Sequence, residues 1–213
     1  LVLLVAASFA QTTLPSSPLD QTTPRGTLKL FFLADSRSDG AALKPLVQTA
    51  NPSEEKIVAT MSAKKSADLE LTTALATKFP DSTQPAPKLP TEADLAPVFE
   101  KIDEATQNIT ADTATLSASG ETAPPFTLKK VGDKWMIPLS VLLPSVEPDV
   151  LAQQSHQIEI QINVMKAATT DVNGGKYATR AEAIEGIKKQ IFDAAIADHA
   201  AAAGAATKPA TQP

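Results

Sequence analysis

Phe126-Thr-Leu-Lys-Lys-Val131, then Gly132-Asp133, then Lys134-Trp-Met-Ile-Pro-Leu139: this stretch decides how the chain is read. Phe126 and Leu128 alternate with Thr127 and Lys129, and Trp135, Ile137 and Leu139 alternate after Lys134. Successive side chains of a strand point to opposite faces, so a period of two means strands with one apolar face each. Val131-Gly132-Asp133 suffices for a tight reversal between them. Working backwards, Ala114, Leu116 and Ala118 alternate with Thr and Ser. The pattern predicts strands over 111–119, 125–131 and 134–140, a small antiparallel sheet whose apolar face the preceding helices must cover.

Upstream, the period is helical. Thr23-Pro24 pairs an N-cap residue with proline at the first helical position, and Leu28, Phe31 and Phe32 then share a face up to a stop at Asp35–Gly40. Leu43, Leu46 and Val47 suit a short second helix whose regular part begins at Lys44 or Pro45. Asn51-Pro52-Ser53-Glu54 is the clearest helix start, with a capping Asn and a carboxylate at the third position. The helix it opens carries Ile57, Val58, Met61, Leu69, Leu71, Leu75 and Phe79 inward and ends at Pro80. Residues 80–90 hold four prolines, which makes them an exposed connection. Thr91-Glu92-Ala93-Asp94 caps a further helix with its regular part at Pro97–Gln107 and Leu95, Val98, Phe99 and Ile102 inward.

Downstream of the hairpin the chain turns helical again. Val150, Leu151, Ile158, Ile162 and Met165 form a stripe over Asp149–Thr169, although Ile158, Ile160, Ile162 and Val164 also alternate as a strand would. Gly174-Gly175 closes that helix, and Thr179-Arg180-Ala181-Glu182 is a capping box opening the next. There Ile184, Ile187, Ile191, Ala195 and Ile196 hold one face, with Phe192 beside them. The fold class is α+β: helices packed on an antiparallel sheet, followed by a C-terminal helical hairpin.

The ends have their own character. Leu1-Val-Leu-Leu-Val-Ala-Ala-Ser-Phe-Ala10 reads as the apolar core and cleavage site of a secretory signal whose Met and basic residues lie upstream. This implies export to a periplasmic or extracellular setting, with an uncut leader able to serve as an anchor. Residues 11–23 read as a flexible linker, 24–143 as the α+β domain, 144–200 as a helical extension and 201–213 as a disordered tail. There is no cysteine, so neither disulfides nor lipidation at cysteine apply. A net charge of −5 with mixed signs offers no case for nucleic acid. No stretch beyond the leader reaches the ~18 apolar residues of a membrane span.

Two stretches resemble the NTF2-like superfamily, especially its exported bacterial members of unknown function. Phe31-Phe32, Ser38-Asp39-Gly40, Leu43 and Leu46 resemble its opening helices, and Phe126-Thr-Leu-Lys-Lys130 with Gly132-Asp-Lys-Trp-Met-Ile137 resembles its closing hairpin. The likeness covers roughly residues 24–143. Gly175-Lys-Tyr-Ala-Thr-Arg-Ala-Glu-Ala183 is similar to a helical-hairpin turn of hypothetical exported bacterial proteins. The superfamily resemblance implies a curved sheet wrapped by helices around a cone-shaped cavity. Its members include isomerases, dehydratases and hydrolases, and many that bind ligands or adapt proteins. The enzymes place Asp, His or Tyr inside the cone, and this chain offers no clear equivalent.

Searched for chemistry, the chain yields little. His156 and Glu159 have metal-ligand spacing, but Gln153, Gln154 and Gln157 around them mark a solvated face. His199 sits at the end of the last helix, and Asp103-Glu104 reads as solvated. Lys129, Lys130 and Lys134 read as protection of a sheet edge. No nucleophile elbow, zinc motif or phosphate loop is present, and no catalytic residue, metal ligand or cofactor is assigned. Trp135 reads as a core anchor and Tyr177 as packing on the helical pair. Should a ligand cavity exist, Phe31, Phe32, Phe126 and Trp135 are the residues expected around it. The expected function is non-catalytic: protein interaction or self-association through residues 149–199, or a small apolar ligand. The alternative is a cavity-based acid/base enzyme. An inward carboxylate at a cavity mouth favours the enzyme, whereas an exposed apolar stripe on 149–199 favours partner binding.

Overall fold

A computed structural model describes residues 18–80, 88–118 and 124–206. The leader-like run 1–10, the middle of the proline-rich connection, the last seven residues and the side chain of His199 lie outside the described residues.

Helix α1 (Pro24–Ser36) starts where expected: the Thr23 hydroxyl accepts from the Gly26 N–H at 3.0 Å. Two short turns follow, α2 (Gly40–Leu43) and a 3₁₀ turn at Lys44–Leu46, so regular structure begins before Pro45 rather than at it. A two-residue strand β1 (Val47–Gln48) leads to α3 (Pro52–Lys78). Its cap is reciprocal, with the reach back shifted by one residue: Asn51 accepts from Glu54 N–H at 3.0 Å, and Glu54 accepts from Ala50 N–H at 2.8 Å. After Thr91 and Asp94 cap a 3₁₀ turn, α4 (Ala96–Glu104) and strands β2 (Thr106–Thr110), β3 (Thr113–Ser117), β4 (Phe126–Val131) and β5 (Lys134–Pro138) follow. The chain ends in α5 (Leu139–Leu142), α6 (Pro148–Asn173) and α7 (Arg180–Ala206).

The five strands form one open sheet in the order β1-β5-β4-β3-β2. All neighbours are antiparallel except β1, which runs parallel to β5 through Val47 opposite Ile137. The hairpin that decided the reading is present, with Val131 opposite Lys134 and Gly132 at φ +65° in the two-residue turn. Its apolar side chains do meet the early helices. Leu28 of α1 and Ile102 of α4 pack with Ala114, Leu116, Leu128, Trp135 and Ile137.

Several expectations are corrected. The helix expected to reach Gln107 stops at Glu104, because Ala105 turns extended and Thr106 and Gln107 pair with Ser117 and Leu116. Strand β2 carries one large apolar residue, Ile109, and it is exposed, so no alternation announced it. Lys129, Lys130 and Lys134 stand on interior strands, not on an edge. Residues 20–23 do not hang free: Gln21 C=O accepts from the buried Trp135 N–H at 2.8 Å, a donor that must find a partner. The run 158–164 is helix, since Ile162, Met165, Ala168 and Val172 fall on one buried face. At the other end, α7 continues to Ala206, beyond the expected boundary at 200, as alanine's high helix propensity allows.

Away from the sheet, α3 and α6 run side by side in the same direction. Ile57 and Val58 meet Leu151, Ala67 meets Ile162 and Met165, and Ala74 meets Val172. Each helix is about 40 Å long at the usual rise, so their far ends project beyond the sheet as an arm. Helix α7 folds back along α6, with Ala183 against Val172 and Asp198 near His156. Tyr177 packs into the turn end of this arm.

Candidate functional site

Between the sheet and the arm, α1, α3, α5 and the α2–β1 segment leave a cavity of about 200 Å³. From α1 come Phe31 and Asp35, one turn apart. Val58, Met61, Ser62 and Lys65 come from one face of α3, and Leu139 and Leu142 from α5. Leu43, Lys44 and Val47 close it from the α2–β1 side.

Local chemistry explains why α2 lies so close to α3. Helix α1 ends with Ser38 at φ +53°, and the Asp39 N–H reaches back to Ala34 C=O at 2.9 Å. Asp39 then caps α2 by accepting from Ala42 N–H at 3.0 Å. Gly40 comes next, set against Ser62 of α3, where a Cβ would collide with the Ser62 backbone. The Ser62 hydroxyl donates to the Gly40 carbonyl, which locks the two helices together.

The cavity wall is apolar apart from its rim. Asp35 and Lys65 form an ion pair at 2.7 Å there, both partly exposed. Lys44 is exposed and makes no ion pair among the described residues. The three charged groups at the rim therefore carry a net +1.

Of the four residues expected around a cavity, one lines this space, although Phe31, Phe126 and Trp135 share one core cluster. Phe31 lines it. Phe32 lies more than a third exposed, edge-on to the Phe31 ring with centroids 6.0 Å apart. Phe126 and Trp135 pack instead in the core beneath α1 and α4, Trp135 as the buried anchor foreseen for it. Leu43, Val58 and Met61 appeared in the sequence as plain core positions, and their spacing alone does not distinguish a packed core from a cavity wall.

Other singled-out residues resolve into structural pairs. Asp103 is not solvated: it accepts from the buried Lys29 at 2.7 Å, and Lys29 also lies 5.7 Å from the centre of the Phe99 ring. His156 pairs with Asp198 at 2.7 Å while Glu159 pairs with Lys56 at 3.2 Å, so the two do not converge on one point. Among the described residues, no three His, Asp or Glu side chains gather as a metal site. No helix among them is long and apolar enough to cross a membrane.

A second feature lies on α7. Ala183 and Ile187 are buried, but Ile184, Ile191, Phe192 and Ile196 stand exposed, Phe192 by 65%. The face expected to pack inward is thus largely open to water. The helix is nonetheless tied to α6 at two points. At the first, Asp171 of α6 accepts from Lys176 of the turn at 2.6 Å and from Gln190 of α7 at 2.8 Å. These hydrogen bonds, Lys176's foremost, hold the Asp171 carboxyl below its usual range. At the second, Asp198 accepts from Gln157 at 2.9 Å besides pairing with His156. Comparison of the chain with protein-family models, curated proteins and solved structures gives no match.

Proposed function

We propose that this is an exported, non-catalytic binding protein that associates through α7. The row Ile184, Ile191, Phe192 and Ile196 carries the reading: large apolar side chains left in water on a helix tied to α6 at Gln190 and Asp198. Exposed apolar rows of this kind mark association surfaces, because covering them releases water at little conformational cost when the platform is already rigid. The flanking charges favour a second copy as the occupant. Lys188 and Lys189 precede Ile191, and Asp193 and Asp198 follow Phe192. Within the helix Lys188 pairs with Glu185 and Lys189 with Asp193, each at 2.7 Å, and two copies crossing antiparallel at Ile191–Phe192 bring these pairs beside those of the other copy, where they can be shared across the seam. Export rests on the leader-like run at 1–10.

The acid/base alternative gains no support at the cavity, where Asp35 is half exposed and tied to Lys65. Sedimentation equilibrium tests the association. The chain is expected to dimerise below about 100 μM, and Ile191→Ser with Phe192→Ser to weaken the dimer at least tenfold, roughly 1.4 kcal/mol. A monomer throughout that range, or an unaffected double variant, overturns it.

A further inference from the structure

We infer that the cavity between α1, α2, α3 and α5 is a binding site for a small monocarboxylate with an apolar tail, its head held by Lys44 and Lys65. This goes beyond association through α7 and does not depend on it.

Size sets the first limit. At about 200 Å³ the space exceeds the ~150 Å³ engineered apolar cavity that admits benzene. It falls short of the roughly 300–1,000 Å³ typical for drug-sized ligands. A single ring or a medium-length alkyl chain fits, and a long-chain lipid or a peptide segment does not.

Wall chemistry sets the second. Phe31, Leu43, Val58, Met61, Leu139 and Leu142 present hydrocarbon, thioether and ring surface, so the buried part of the ligand is apolar. Desolvating a polar group there without a partner is unfavourable. The third limit comes from the rim. Lys65 is already neutralised by Asp35 at 2.7 Å, leaving Lys44 as the rim cation without an ion pair among the described residues. A carboxylate entering between them completes the set: it bonds Lys44 directly and shares Lys65 with Asp35 through charge-assisted hydrogen bonds. An ammonium head meets net positive charge, and an alcohol gains only neutral hydrogen bonds.

The methionines provide the test, because Met61 lines the cavity while Met136 and Met165 lie elsewhere. The full chain carrying ¹³C-methyl methionine is titrated by NMR with octanoate, octanol and octylammonium. Octanoate is expected to shift the Met61 methyl and leave those of Met136 and Met165 in place, with octanol binding about tenfold more weakly. Lys44→Gln, an exposed substitution that does not threaten folding, is expected to weaken octanoate several-fold and to leave octanol unchanged. Absence of a Met61 shift, equal shifts at all three methyls, or octanol and octylammonium matching octanoate would each overturn the site. So would indifference of octanoate to Lys44→Gln.

Discussion

The sheet body and the helical arm bury their apolar residues in different ways. Under the sheet, Leu128 and Ile137 are fully buried and Trp135 nearly so, enclosed by α1, α4 and neighbouring strands from distant parts of the chain. Along the arm the helices are joined by seams of small residues. Ala67, Ala74, Ala168 and Ala183 bring helices together, and α7 leaves most of its large apolar side chains in water. A core closed from several directions fails as a unit. A stack of pairwise seams can open at one end while the rest holds.

The largest effect that breaks this contrast is expected at Trp135. Trp135→Ala removes the central side chain of the body and should cost about 3–5 kcal/mol. Urea unfolding followed by circular dichroism should then show the whole chain destabilised together, sheet and arm alike. An effect under about 1 kcal/mol would mean that the body does not organise around it.

Val172→Ala probes the arm. Val172 is fully buried between α3 and α7, and losing its methyl groups should cost about 2 kcal/mol. Hydrogen exchange is the informative measurement: amides around 168–187 should exchange faster while those of β3, β4 and β5 keep their protection. Uniform acceleration through the sheet would dissolve the distinction between the two regions.

The smallest effect concerns acid. Asp171 titrates below its usual range when folded, chiefly because Lys176 and Gln190 donate to it. The folded chain therefore binds fewer protons at this group than the unfolded chain does in mildly acidic solution. Its contribution is complete above the unfolded value and is lost as pH falls through the depressed folded value. Protection of the amides at the α6–α7 turn, taken relative to their intrinsic exchange rate at each pH, should fall on that descent in the native protein and not in Asp171→Asn, where the step is already absent. A turn equally labile at neutral and acid pH would show that Asp171 does not hold α7 in place.

Much of this architecture was legible beforehand. Thr23, Asn51, Thr91 and Thr179 mark their helix starts because capping is a local transaction between a side chain and the next few backbone N–H groups. Trp135, Ile137 and Leu128 declared a buried face because alternation is a property of the strand itself. Strands β1 and β2 were not legible: Val47–Gln48 is a strand only because β5 lies beside it, and Thr106–Thr110 pairs through its backbone while exposing Ile109. The cavity was half legible. Phe31 was singled out, but Phe126 and Trp135 share its apolar character and went to the packed core instead.

By itself, then, the order of residues determined where helices begin and which strands carry an apolar face, and it left 158–164 open between helix and strand. Short-range hydrogen bonds and side-chain period are set within a few residues. Only the tertiary structure decided which apolar residues touch one another and which stay in water. Ile187 and Ile191 lie one turn apart on α7, yet the first is buried against the arm and the second is exposed. Nothing local separates them. The difference arises because α6 passes under one side of α7 and no described element covers the other, a matter of which surfaces the folded chain has left to offer.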